Sequence, residues 1–332
     1  MLTKKLDKFG KTIATISVLA IVTSGCSSAT NGSAQYPQKP ITFTAPAEPG
    51  SGWDTTARAL VKTLEENQQV KVPLPVQNKP GGTGCSWLTE MVTGQTGKDD
   101  QITVTSLAAQ TMNKRNLCEY GPEDVTMIAT LFVENFIVVA PKDSPIGNVD
   151  ELVKALKEDP KSIPVAGAGD DTLPLALFAD AAGIEPKSLN VVNYDGGGAQ
   201  TTALLNGDAK IAIAGVSEFR GSLESGDLKP IVTFAEEPLA APLDQVPTAK
   251  SVGIDVALGN WRGVYGPKDM PEEAKQYWVE TLTELVETDS WKETLKKNQW
   301  TPDFRTGDDV DSYVKDAGDT IQKGIDETGI KN

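Results

Sequence analysis

No histidine occurs anywhere in the 332 residues, which removes the side chain most often used as a general base and as a metal ligand. Nucleophilic serine chemistry run through histidine is therefore excluded, and the sequence suggests no base for Cys85 or Cys118. Acid pairs such as Asp170 with Asp171, or Asp308 with Asp309, are of the right type for acid–base work, but in so acidic a chain they read as solvated loop residues. The residues that point to chemistry are glycines. EPGSGWD at 48–54, KPGGTG at 79–84, AGAGDDT at 166–172 and YDGGGAQ at 194–200 each join an apolar run to a helical pattern. Such turns bind anions, because glycine adopts backbone angles that side chains forbid and lets main-chain N–H groups converge at the positive end of the next helix. Gly50 and Gly52 are expected to take such angles. A dinucleotide or nucleotide site does not fit: Thr55 stands at the third glycine position of GSGWDT, and no Walker lysine follows any loop. The reading is binding without catalysis, with no metal and no cofactor.

The elements that hold these loops alternate along the chain. ITFTA precedes TTARALVKTLEEN, LPVQN precedes SWLTEMVTG, IPVAGAG precedes LPLALFADAAG, and LNVVNY precedes AQTTALLNG. Strands alternating with helices predict an α/β fold with parallel sheets, whose loops gather at the carboxyl ends of the strands. VVAPKDSP at 138–145 echoes VYGPKDMP at 264–271, and this repeat suggests where the chain changes lobe. The expected division is residues 36–139 plus 266–332 in one lobe and 140–265 in the other, with two strands crossing between them. Two glycine loops fall in each lobe, so hinge closure would bring them around one small molecule. Trp278, Trp291 and Trp300 are expected to pack the C-terminal helices onto the first lobe.

The first 25 residues carry Lys4, Lys5, Lys8 and Lys11 and then TIATISVLAIV, about half the ~20 apolar residues that a membrane span needs. They read as a signal peptide. VTSGC resembles a lipobox, with Thr23 where leucine is usual, so Cys26 is the expected lipidation site and residues 26–35 a flexible linker. Losing four lysines and one aspartate takes the net charge from −15 to −18, which would repel nucleic acid and leaves any anion to be captured by local geometry. In an oxidising exterior Cys85 and Cys118 are expected to pair, the alternative being two buried thiols; closing the loop would contribute roughly 3 to 4 kcal/mol.

Together YPQKPITFTAPAEPGSGWDTTARAL, QNKPGGTG, VNYDGGGAQTTALLNGDAKIAIAG, VPTAKSVGIDV and WRGVYGPKDMP resemble the extracytoplasmic solute receptors of tripartite tricarboxylate transporters, the TctC or Bug family. The resemblance spans nearly all of residues 36–332, and PGSGWD with Trp53 looks closer to its tricarboxylate-binding branch. It implies a two-lobed periplasmic-binding-protein-like fold of type II, with parallel or mixed sheets flanked by helices. It implies too that a ligand carboxylate is gripped between two loops, partly through ordered water. Gly50, Ser51, Gly52, Trp53 and Asp54 would belong to one jaw, and Tyr194, Gly196, Gly197, Gly198 and Ala199 to the other. Ser106, Gly167, Ala168, Thr172 and Ser217 would line the cleft.

Asp54 has two readings: a helix-start residue that caps N–H groups and pairs with Arg58 one turn on, or an acceptor for a ligand hydroxyl or amine. Asp195 stands where relatives often carry a basic residue, and Asp170 and Asp171 replace small or hydroxyl residues, so acids are expected to rim the cleft. The function implied is a membrane-tethered, monomeric receptor that passes a small carboxylate, such as citrate, to integral-membrane transporter subunits. A cation-complexed citrate or an amine-bearing ligand would suit an acidic rim. The alternative is an extracytoplasmic carboxylate sensor or adaptor for a signalling partner.

Overall fold

The structure is a computed structural model that describes residues 36–168 and 171–329; the expected signal peptide, the expected lipidation site Cys26, the expected linker and Asp170 lie outside the described residues. The first part of the chain runs β1 (Thr42–Ala45), α1 (Gly52–Glu66), β2 (Val76–Asn78), α2 (Cys85–Gly94), β3 (Gln101–Ser106), α3 (Leu107–Lys114) and β4 (Thr126–Pro141). The middle continues with α4 (Val149–Glu158), β5 (Pro164–Gly167), α5 (Thr172–Ala181), β6 (Asn190–Asn193), α6 (Gly197–Asn206), β7 (Ile211–Gly215), α7 (Val216–Glu224) and β8 (Leu228–Thr233). The last elements are β9 (Gly259–Gly266), α8 (Glu272–Glu287), α9 (Asp289–Asn298), β10 (Trp300–Thr306) and α10 (Asp308–Thr328).

The local sequence explains these choices. In α1 the buried Trp53, Ala57, Leu60, Val61 and Leu64 recur at helical spacing and form one apolar stripe against the sheet. By contrast IAIAG in β7 is buried at every position, as a strand covered on both faces must be. The sheet is mixed, in the order β2-β1-β3-β9-β4-β7-β5-β6, with β8 and β10 also paired to β4. Strands β2, β1 and β3 are parallel, as are β6, β5 and β7, while β9 and β4 run antiparallel to their neighbours.

β4 ties the two halves of the sheet together. Through Asn135 it pairs with β9 and β10, and from Phe136 onward with β7 and β8. The return crossing falls at Leu258, whose N–H donates to Phe234 O, just before β9 begins. α10 also serves both halves: Gly318 lies against Gln110 and Lys114 of α3, and Gly324 against Leu173 and Leu177 of α5.

Trp278 and Trp291 are wholly buried in the core of the first half, and Trp300 stacks on Phe132 with centroids 4.0 Å apart. Trp300 does this from β10, a strand absent from the sequence reading. Cys85 and Cys118 form a disulfide with Cα atoms 5.4 Å apart, tying the start of α2 to the turn after α3. Among the described residues no helix is long and apolar enough to cross a membrane.

Candidate functional site

The first glycine loop joins β1 to α1. Ser51 is extended, and its Oγ accepts from Asp54 N at 3.3 Å, which makes it the N-cap. Gly50 has φ +84°, an angle that favours glycine. Gly52 does not share it, contrary to expectation: it is the first helical residue, and a Cβ there would lie 2.5 Å from Arg262 Nη2 and 3.1 Å from Glu218 Oε1, so charged groups would have to shift to admit one. Asp54 is buried beneath the loop, accepting from Gly50 N and Asn78 Nδ2 at 2.9 Å each and pairing with Arg58. Burial alone would raise its carboxyl pKa, but the hydrogen bonds from Arg58, Gly50 and Asn78 outweigh burial and hold it below the usual range. Its oxygens therefore brace the loop.

In front of the loop lies a cavity of about 390 Å³ to which all four glycine segments contribute. Ser51, Gly52 and Trp53 form one side, Pro80–Thr83 a second, and Ala168 with Asp171 and Tyr194–Gly196 the side opposite. The jaws approach closely, for a Cβ on Gly196 would sit 3.4 Å from Ser51 Cβ. Trp53 is held as a wall because its Nε1 donates to Ser106 Oγ at 3.0 Å, while that oxygen also accepts from Ala108 N and caps α3.

Arg262 lines the cavity from β9 and is the one basic side chain among the described lining residues. Its Nη2 donates to Glu134 Oε2 at 2.6 Å, and the two side chains are 5% and 0% exposed. Glu134 Oε1 in turn accepts from Ser217 N at 3.2 Å and from Ser217 Oγ, so it also caps α7. A buried charge needs such partners, because losing either member of a buried pair costs about 3 to 5 kcal/mol. Against this cation stand four acids on the lining: Glu48, Asp171, Asp195 and Glu218. Among the described residues no three acids or cysteines cluster as a metal site.

Of the residues expected at the site, Ser51, Gly52, Trp53, Ala168, Tyr194 and Gly196 line the cavity. Gly50, Asp54, Ser106, Gly167, Thr172, Gly197 and Ser217 stand behind that lining as supports. Gly167 O accepts from Tyr194 N, for example, and Gly197 N donates to Glu218 Oε2 at 2.8 Å. Gly198 and Ala199 are exposed and off the lining. The sequence reading passed over Arg262, Glu134 and Glu218. One signal was present for the first two: a lone arginine in NWRGVYG and a lone glutamate in TLFVENFIVVA are charges in apolar strands, which must pair when buried.

The family model for the receptor of the tripartite tricarboxylate transporter family matches residues 57–330. This chain belongs to that family. The receptor is 22% identical to BugT of Bordetella pertussis over 338 aligned positions, which cover 99% of each chain. In fold it resembles an R. palustris protein solved with adipate, at TM-score 0.82 and 18% identity, covering 89% of this chain and 99% of that one. It also resembles MatC from Rhodopseudomonas palustris with bound malate, at TM-score 0.74 and 18% identity over 90% and 100% of the two chains. The fold is thus the two-lobed α/β arrangement of periplasmic binding proteins, and family membership makes the receptor an extracytoplasmic solute-binding protein.

Proposed function

We propose that this receptor captures a small organic carboxylate, such as the tricarboxylate citrate, and delivers it to integral-membrane transporter subunits. The observation that carries the reading is the corner formed by Arg262 and the start of α1. There a guanidinium lies against Gly52 at the positive end of a helix, inside a cavity whose size sits near the lower end of the ~300–1,000 Å³ usual for small-ligand sites. Family membership supports a carboxylate, as do adipate and malate in the two relatives. Because four acids share the cavity with one arginine, a bare trianion is disfavoured. Citrate would enter with a divalent cation, or the ligand would bear an amine.

Capture would proceed by hinge closure. β4 near Asn135 and the crossing at Leu258 are where the sheet changes partners, so residues on either side can rotate as two lobes. Only the closed state presents the first glycine loop and the YDGGG loop together, and binding would therefore favour it. Lipidation at Cys26 would tether a monomeric body to the membrane through the linker at 26–35.

A thermal-shift screen of mono-, di- and tricarboxylates on residues 36–332 tests the reading, with citrate tried with and without magnesium. At least one carboxylate is expected to raise the melting temperature. If none does, the proposal fails.

A further inference from the structure

Two strands separate the cavity from a second one on the far face of the sheet. Side chains alternate between faces along β4 and β9, so Glu134, Asn260 and Arg262 belong to the side of the first cavity, and Val133, Asn135 and Gly259 to the other. The latter three line a cavity of about 560 Å³. Its walls come from both halves of the sheet. Thr301 and Pro302 of β10 stand on one side, and Phe234 with Pro238–Ala240, from the segment after β8, on the other. Gln299 Nε2 spans the rim, donating to Ala241 O at 3.1 Å. Val133, Phe234, Leu239 and the two prolines make the lining largely apolar. The two cavities thus sit back to back across the place where β4 and the return crossing change partners, at Asn135 and Leu258.

This placement fixes the sign of a coupling. A rotation about the crossing strands that narrows one gap widens the other. The first gap is narrow, with a Cβ on Gly196 only 3.4 Å from Ser51 Cβ, while the second stands open. When the first opens, the apolar walls of the second approach each other and leave water, so that contact favours the open state and capture must undo it.

We propose that the second cavity governs capture: its apolar walls set the cost of closure, and a group that props them apart holds the receptor closed and tightens its grip on the carboxylate. Ala240 and Thr301, exposed on opposite walls, are the positions through which affinity is set without any contact with the ligand. This rests on the reading of the first cavity as a carboxylate site and adds to it how closure of that site is regulated.

Ala240→Phe and Thr301→Phe each add a ring to one wall at an exposed position, where the fold should bear it. Calorimetry with malate, adipate and citrate, and small-angle scattering of the ligand-free protein, read the outcome. Each variant is expected to bind whichever of these acids the wild type binds about three- to tenfold more tightly, and to be more compact than wild type without ligand, because a larger share of it is already closed. Should one variant fail to fold, the other decides. Unchanged or weaker binding with unchanged scattering overturns the proposal and leaves the carboxylate reading standing. If no carboxylate binds wild type or variant while the variants are still the more compact, the carboxylate reading fails and control of closure from the second cavity stands.

Discussion

Glu134 and Arg262 lie on adjacent antiparallel strands two register positions apart, and their side chains close the floor of the cavity at 2.6 Å. Glu134 reaches past this pair to the start of α7, so one carboxylate joins β4, β9 and a helix of the other half of the sheet. Arg262→Met should cost about 3 to 5 kcal/mol in urea unfolding, because it strands a buried carboxylate. Replacing both residues, with Glu134→Leu added, should recover much of that stability without recovering ligand affinity. Recovered affinity would show that the guanidinium does not hold the ligand.

A Cβ on Gly52 would lie 2.5 Å from Arg262 Nη2 and 3.1 Å from Glu218 Oε1, so Gly52→Ala should push the guanidinium aside, lower affinity and cost about 1 to 3 kcal/mol of stability, because Arg262 also holds the buried Glu134. A Cβ on Gly197 meets the stem of Glu218, which cannot swing away, and Gly197→Ala should cost about 1 to 3 kcal/mol. Gly198, where nothing lies within 4 Å, is the control, and Gly198→Ala should leave calorimetry and melting close to wild type.

Asp54 makes an acid-side prediction. Its folded pKa lies below its ordinary value of 3.8, so its contribution to stability is fully present above that value and is lost as pH falls through the folded pKa. Asp54→Asn should therefore be less stable than wild type at pH 7, with the gap shrinking below about pH 3.8. A gap that stays constant to pH 2 in denaturant titrations would remove Asp54 as the charged brace of the loop.

The disulfide closes a separation of 33 residues, and replacing Cys85 and Cys118 by serine should lower stability by roughly 3 to 4 kcal/mol. Because Cys85 begins α2 directly after the Gly81–Gly84 turn, affinity should fall as well. Paired urea melts with and without reductant check the first part, and calorimetry checks the second.

Much of this protein is written in local sequence. Apolar runs alternating with helical stripes determine the α/β class, and four glycine segments announce four strand-to-helix turns, because both signals depend on residues a few positions apart. The absence of histidine excludes histidine-dependent chemistry from composition alone. What the tertiary structure decided is which charges meet. Glu134 and Arg262 are 128 residues apart and become partners only because β9 inserts between β3 and β4. Asp54 is a brace because Asn78 arrives from β2, and Glu218 takes the start of α6 because α7 folds beside it. β10 escaped notice because WTPDFRT carries a proline and polar side chains and owes its strand form to β4. Periodicity reports which face of an element is buried, whereas the charge pattern of a site depends on what packs against that face, and that is set by sheet order and crossings that no short window contains.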